Sequence, residues 1–251
     1  MEDKSRQQNE INTEYQGKNE LRTIENSLPR YNSFIIREFI RHSGINNVEP
    51  QEVIQFRALD FGAGLGTLAE LWKGFTGNKV ECLEIDPKQL DWIRSLSFIG
   101  WSTVHEIPGK YDFIYSSNVL EHIEDDVQCL QDLSDKLKKG ARLGIYVPAL
   151  MILFSDLDRS VGHYRRYSKV ELSSKVNGAG FKVISCEYVD SLGFLATLLI
   201  KILGWKDVGN IGSVASLKFY DRFIFPLSRL IDRITNGKLV GKNIFLIAER
   251  E

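Results

Sequence analysis

Two groups of residues have types and spacings that can do chemistry. The first is Asp60-Phe61-Gly62-Ala63-Gly64-Leu65-Gly66, followed by Glu84-Ile85-Asp86-Pro87, with Glu84 24 residues after Asp60. Glycines tolerate positive φ and carry no Cβ, so this run lets the backbone bend sharply and approach a ligand closely. Open N–H groups at a helix start favour a carboxylate or a phosphate. An acid at the end of the next strand can accept from both hydroxyls of a ribose. The second group is Asp158-Arg159-Ser160-Val161-Gly162-His163-Tyr164-Arg165-Arg166-Tyr167, together with the four histidines His42, His105, His122 and His163. Imidazole titrates near neutrality and is the natural general base.

The glycine run has more than one reading. A dinucleotide pattern GxGxxG begun at Gly62 fails at Thr67; begun at Gly64 it runs through Gly66 to Ala69, which only the looser form accepts. Asp60, two residues before the first glycine, is atypical for nicotinamide binding. It shifts the reading to S-adenosylmethionine, whose methionine carboxylate would meet the helix start. A nucleotide site and a structural turn are the alternatives. Glu84 is assigned to the ribose; Asp86, directly before Pro87, is assigned to capping the next helix.

In the second group His163 is the candidate base or acceptor-binding group, with Asp158 as the carboxylate alternative. His122 is a third candidate, or a residue that orients its loop. His105 reads as a strand-end residue and His42 as a surface residue. Arg165 and Arg166 are adjacent and do not share a helix face. One is expected to pair with a carboxylate such as Asp158, the other to hold an anionic acceptor. Tyr164 and Tyr167 suit packing on a sugar ring or anchoring the loop.

These residues need a scaffold, and the pattern between them supplies one. FRALDF, KVECLEI, TVHE, YDFIYSS and ARLGIYVP read as strands separated by helical stretches, among them a helix over 124–140 stopped by Gly140. Strands alternating with helices imply an α/β fold with a parallel sheet. SKVELSSKVNGAGF reads as a further helix, FKVISCEYV and KNIFLIAER as two last strands. A helical insertion at 191–241 lies between those strands. In it Tyr220, Phe223, Ile224, Leu227, Leu230, Ile231 and Ile234 fall on one face, and Pro226 is expected to kink the helix. The longest apolar run, Leu192 to Trp205, is too short to span a bilayer; it reads as a buried helix or as a segment at a membrane interface. Between 200 and 242 eight basic residues face three acidic ones, which suits an anionic membrane surface.

Composition narrows the function classes. With a net charge of -1 the chain has no global basic field, which argues against nucleic acid as a partner. The three scattered cysteines form no CxxC pair, so neither a disulfide framework nor a zinc site is expected, and no metal is assigned. Residues 1–26 are polar, lack the apolar core of a signal peptide and read as a flexible tail before one domain over 27–251. A cytoplasmic protein is expected, or one peripheral at the inner face of the membrane.

Read together with YDFIYSSNVLEHIEDD and KLKKGARLGIYVPA, the motifs resemble the class I S-adenosylmethionine-dependent methyltransferases over roughly residues 27–190. The resemblance implies a Rossmann-like, seven-stranded, mostly parallel sheet with helices on both faces, plus the insertion before the last strand. It implies S-adenosylmethionine as cofactor, S-adenosylhomocysteine as product, and Asp60, Gly62, Ala63, Gly64, Gly66, Glu84, Ile85 and Asn118 as cofactor-binding residues. Asn118-Val119-Leu120-Glu121-His122 would line the methionine end, and Ile85 would pack on the adenine. LPRYNSFI and the GHYRRY element resemble a bacterial subgroup often encoded near sugar and cell-envelope enzymes. There are departures. Lys139-Gly140-Ala141 stands where two glycines are usual, and the short EIPGK leaves the adenine amino group with only Glu106 as candidate. The expected reaction is methyl transfer to a small-molecule or lipid-linked acceptor, at an oxygen of a sugar-type molecule. N- or C-methylation of another metabolite and a non-catalytic S-adenosylmethionine-binding regulator are the rivals. No NPPY-like tetrapeptide or Pro-Cys loop points to nucleic-acid methylation.

Overall fold

The computed structural model describes residues 26–47, 55–203 and 213–251; the expected flexible tail falls almost wholly outside them. Seven strands form one sheet: β1 Ala58–Phe61, β2 Glu81–Leu83, β3 Ile99–Trp101, β4 Tyr111–Ser117, β5 Leu137–Pro148, β6 Phe181–Val189 and β7 Asn243–Arg250. Their order is β3-β2-β1-β4-β5-β7-β6. All pairs up to β4·β5 are parallel, and β7 runs antiparallel to both β5 and β6. This is the Rossmann-like arrangement the alternation of strands and helices implies. The sheet reverses its winding at β1 and β4, and open α/β sheets bind ligands beyond the carboxyl ends of strands at such a switch point.

Helices cover both faces because the central strands are apolar on both sides. On one face α1 (Pro29–Ser43), α2 (Thr67–Thr76) and α3 (Pro87–Ser95) bury Phe39, Trp72 and Ile93. Their aromatic rings stack on β4: Phe39 and Trp72 lie 5.2 and 5.4 Å from the Tyr115 ring. On the other face α4 (Asp126–Lys136) and α6 (Lys169–Gly178) bury Leu130, Leu133, Leu172 and Val176. Short α5 (Asp156–Ser160) lies in the loop after β5.

Two elements differ from the sequence reading. The third strand is Ile99–Trp101, and Val104–Glu106, read as that strand, is a 3-10 turn. Glu106 accepts from Ser102 N at 3.1 Å and Ser102 Oγ at 2.9 Å, closing the turn locally. Gly140 does not stop a helix. α4 ends at Lys136, and Gly140, at φ 76°, sits inside β5 where the register with β4 shifts between Tyr111 and Phe113. Glycine in the left-handed region is what a bulge requires.

The insertion is helical as read: α7 (Ser191–Ile202), α8 (Val214–Phe219), a π-helical turn (Tyr220–Ile224) and α9 (Phe225–Thr235). The disturbance expected at Pro226 is this π turn, which ends two residues before it. A ring that cannot donate to the carbonyl four residues back is accommodated by a widened turn. The buried-helix reading of the run from Leu192 is overturned. Only Ser191, Gly193 and Phe194 of α7 are buried, while Leu195, Leu199 and Ile202 are exposed. No helix among the described residues is long and apolar enough to cross a membrane.

Candidate active site

The glycine run begins where β1 leaves the sheet. The N–H groups of Gly62 and Ala63 donate to Leu83 O at 2.9 and 3.0 Å and fold the turn onto the end of β2. Gly62, Gly64 and Gly66 take φ of 77°, 56° and 78°. A Cβ on Gly62 would stand 2.3 Å from Val119 Cγ2. The bare backbone therefore admits the segment that follows β4. That segment opens with Asn118, itself at φ 54°, whose N–H donates to Tyr146 O at 2.8 Å. Asp60 is buried at the end of β1.

Glu84, buried at the end of β2, holds the turn directly. Its Oε2 accepts from Gly64 N at 2.8 Å and its Oε1 from Asp86 N at 2.9 Å. Each carboxylate oxygen has a second lone pair, so a diol can share it. Asp86 caps α3 by accepting from Lys88 N and Gln89 N at 2.8 and 2.9 Å. The Ile85 side chain between them is 80% exposed. A glycine cradle at a helix start, a buried acid with spare acceptor capacity and a bare aliphatic side chain fit a ligand with a carboxylate, a ribose and an apolar ring.

The loop after β5 is built on one carboxylate. Asp158 Oδ1 meets His163 Nδ1 and Arg166 Nε, each at 2.8 Å. Its Oδ2 accepts from Ser155 N at 2.9 Å and from Ser155 Oγ and Arg166 Nη2 at 3.1 Å. Burial opposes its charge, but the hydrogen bonds from His163 and Arg166 hold the carboxyl well below the usual carboxylate range. With both oxygens engaged, Asp158 has no lone pair for an acceptor proton. As a base in its own right it is ruled out; it orients His163.

His163 is mostly buried, with Nε2 3.9 Å from Oε1 of the fully buried Glu121. Burial pushes the Glu121 carboxyl up to about 8. Neither of its oxygens has a hydrogen-bond partner. The His122 ring meets His163 edge-on at 4.6 Å, and burial, then the facing imidazole, lower its pKa. The backbone joins this cluster to the glycine turn: His122 N donates to Val119 O at 2.9 Å, and Tyr164 N to Glu121 O at 2.8 Å. His42 is half-buried against Phe245, and His105 sits in the 3-10 turn after β3.

The acceptor-binding expectations are mostly corrected. Arg166 is buried on Asp158. Arg165 pairs with Asp126 at 2.7 Å and donates to Glu124 O at 2.8 Å, so each guanidinium is held by a carboxylate, with Arg166 Nη1 buried and left without a hydrogen-bond partner. Tyr167 is fully buried and its hydroxyl bonds Asp126 Oδ2 at 2.8 Å, an anchor rather than a wall. Tyr164 alone of the four is exposed.

A methyltransferase-domain family model matches residues 25–186, well over half of the chain. The chain belongs to that family. Malonyl-[acyl-carrier protein] O-methyltransferase 1 of Ilyobacter polytropus is 21% identical over 208 residues, covering 76% of this chain and 75% of its own. Among solved structures, geranyl diphosphate C-methyltransferase of Streptomyces coelicolor A3(2) superposes with a TM-score of 0.54 at 14% identity, over 86% of this chain and 78% of that one. Phosphoethanolamine N-methyltransferase 2 of Haemonchus contortus, solved with S-adenosylmethionine, has a TM-score of 0.51 at 17% identity, over 78% of this chain and 48% of the other.

The protein is thus a methyltransferase that uses S-adenosylmethionine. Sequence reasoning gave Glu121 only a place in the segment lining the methionine end of the cofactor, and gave Asp126 no part in the site. Glu121 stood directly before His122 at a strand end, which was signal enough. Asp126 was legible only as a helix-start acid, yet it also pairs with Lys175 at 2.6 Å. Glu121, His122 and His163 bring potential ligand atoms within 4.8 Å of one another, the donor types a divalent cation takes. Such an ion would consume the Nε2 lone pair that a base requires.

Proposed function

We propose that this methyltransferase moves a methyl group to an oxygen of a sugar-type acceptor, free or lipid-linked, with His163 as the general base. S-adenosylmethionine supplies the methyl on a sulfonium and carries its own leaving group, so the protein has to align, desolvate and deprotonate. The observation that supports an oxygen acceptor is the Asp158–His163 pair. The carboxylate fixes Nδ1 at 2.8 Å, keeps the hydrogen there and leaves Nε2 as the acceptor of a hydroxyl proton. Asp158 then stabilises the imidazolium that forms. Glu121, neutral below about pH 8, adds no second negative charge beside Nε2. A neutral amine acceptor would need orientation only, and for it this arrangement would be superfluous.

Exposed Tyr164, next to the base, gives a sugar ring an apolar face to pack on. Asp60, Gly62, Ala63, Gly64, Gly66, Glu84, Ile85 and Asn118 would hold the cofactor, and His122 would support His163 by edge-on contact. The proposed workplace is the cytoplasm or the inner face of the membrane. A screen with methyl-labelled S-adenosylmethionine against nucleotide-sugars and polyprenyl-linked glycans tests the reading. Labelled methyl ethers on a sugar are expected; label found only on amines or on carbon would overturn it.

A further inference from the structure

The helices of the insertion are turned inside out relative to a water-facing helix. In α8, the π turn and α9, the positions facing inward are Asp221, Phe225, Ser228 and Asp232. The positions facing outward, at helical spacing, are Phe219, Phe223, Leu227, Leu230 and Ile234, the last 75% exposed. A surface helix ordinarily does the reverse.

The inward polar groups have definite work. Asp221 accepts from Arg30 N and Tyr31 N at 3.1 and 2.9 Å, at the start of α1. Asp232 accepts from Asp190 N and Ser191 N at 2.8 and 3.1 Å, at the start of α7, and Ser228 Oγ accepts from Leu192 N at 3.0 Å. Both described acids of 191–241 are thereby withdrawn from solvent onto helix N-termini. The cations stay outside: Lys218, Arg222, Arg233 and Lys238 are exposed. Among the described residues of 191–241, the outer surface carries aliphatic and aromatic side chains and positive charge, and no acid.

We propose that this face docks on an anionic lipid surface, the apolar stripe entering the interface and the cations lying over the headgroups. Contiguous exposed apolar surface marks an interaction site, and a stripe flanked by Lys and Arg matches an anionic bilayer. A second copy of the chain fits poorly, because two such faces would bring like charges together. The surface continues toward the catalytic loop. Lys201 of α7 donates to Ile152 O and Phe154 O, each at 2.7 Å, beside exposed Met151 and Ile152 on the loop that carries Asp158 and His163. A lipid-linked acceptor would thus be met at the plane of the membrane. This deepens the proposed function, but docking is measured without any acceptor.

The test is co-sedimentation of the whole chain with vesicles of phosphatidylcholine, with and without phosphatidylglycerol, at low and high salt. Binding only to the anionic vesicles, weakened by salt, is expected. Arg222→Gln with Arg233→Gln should weaken it about thirtyfold. Phe223→Asp with Leu230→Asp should abolish it while leaving S-adenosylmethionine affinity unchanged, which also shows that the variant folds. Absence of binding at low salt, equal binding by the double-Asp variant, or a dimer in analytical ultracentrifugation that the double-Asp variant dissolves overturns the proposal. If vesicles are not bound but methyl transfer to a soluble sugar persists, docking fails and the reaction stands. If vesicles are bound and no sugar is methylated, the reverse holds.

Discussion

The turn after β1 and the loop after β5 face the same edge of the sheet and are held by different means. The first is fixed by backbone: Gly62 and Ala63 reach Leu83, three glycines adopt positive φ, and one carboxylate, Glu84, seals the bend. The second is fixed by side chains gathered on Asp158 and Asp126, which between them engage His163, Arg166, Ser155, Arg165, Tyr167 and Lys175. A backbone device accepts one cofactor shape, because few residues can take those dihedrals. A side-chain device can be re-cut for a new acceptor without disturbing the sheet.

Substitutions on either side sharpen the contrast. His163→Ala should leave S-adenosylmethionine affinity intact in calorimetry and lower kcat by about 10²–10⁴-fold, the usual worth of a positioned base. A normal kcat would place the base elsewhere. Gly62→Ala combines a left-handed φ with an overlap on Val119, costs of about 1–2 and 1–3 kcal/mol. Cofactor affinity should fall about 100-fold or more, as titration calorimetry would read. Glu84→Ala removes the acceptor oxygens proposed for the ribose and the one that holds Gly64 N, and about 10–100-fold weaker cofactor binding is expected; unchanged affinity would refute the assignment.

A further effect, on stability rather than on activity, is one of pH. Glu121 has an ordinary carboxyl value of 4.5 and is raised to about 8 in the fold, chiefly by burial. Between these values the folded state keeps a proton that the unfolded state releases, so stability falls as pH rises through that window. Glu121→Gln should abolish this fall. Melting temperatures at about pH 5 and about pH 9 should differ less in the variant than in the parent. An equal drop in both would mean that Glu121 is not the group responsible.

The same contrast governs what could be read without coordinates. β4 and β6 are where the sequence pattern places them, because short segments rich in aromatic and β-branched residues between turn residues read as strands. The glycine turn was legible for the reason given above: its dihedrals demand particular residues. The third strand was not, since Ile99-Gly100-Trp101 has a glycine at its centre, where a Cβ would stand 2.6 Å from Leu90 Cδ1; that close approach is visible only in three dimensions. Of the Arg-Arg pair, the partnership with Asp158 was legible and is made by Arg166; that of Arg165 was not, because Asp126 lies 39 positions away. The apolar face of α8 and α9 was legible as a stripe, whereas its outward direction depends on Asp221 and Asp232 finding helix starts far away in the chain.

Those two aspartates make the appended segment a ruler. They stand eleven positions apart on nearly continuous helix, each seated on the first turn of a different helix, α1 and α7. One residue added or removed between them would rotate one carboxylate by about 100° relative to the other and leave one of those first turns bare. Length variation among homologues should therefore spare 221–232 and fall outside it, so the spacing can be checked by aligning relatives before any protein is made.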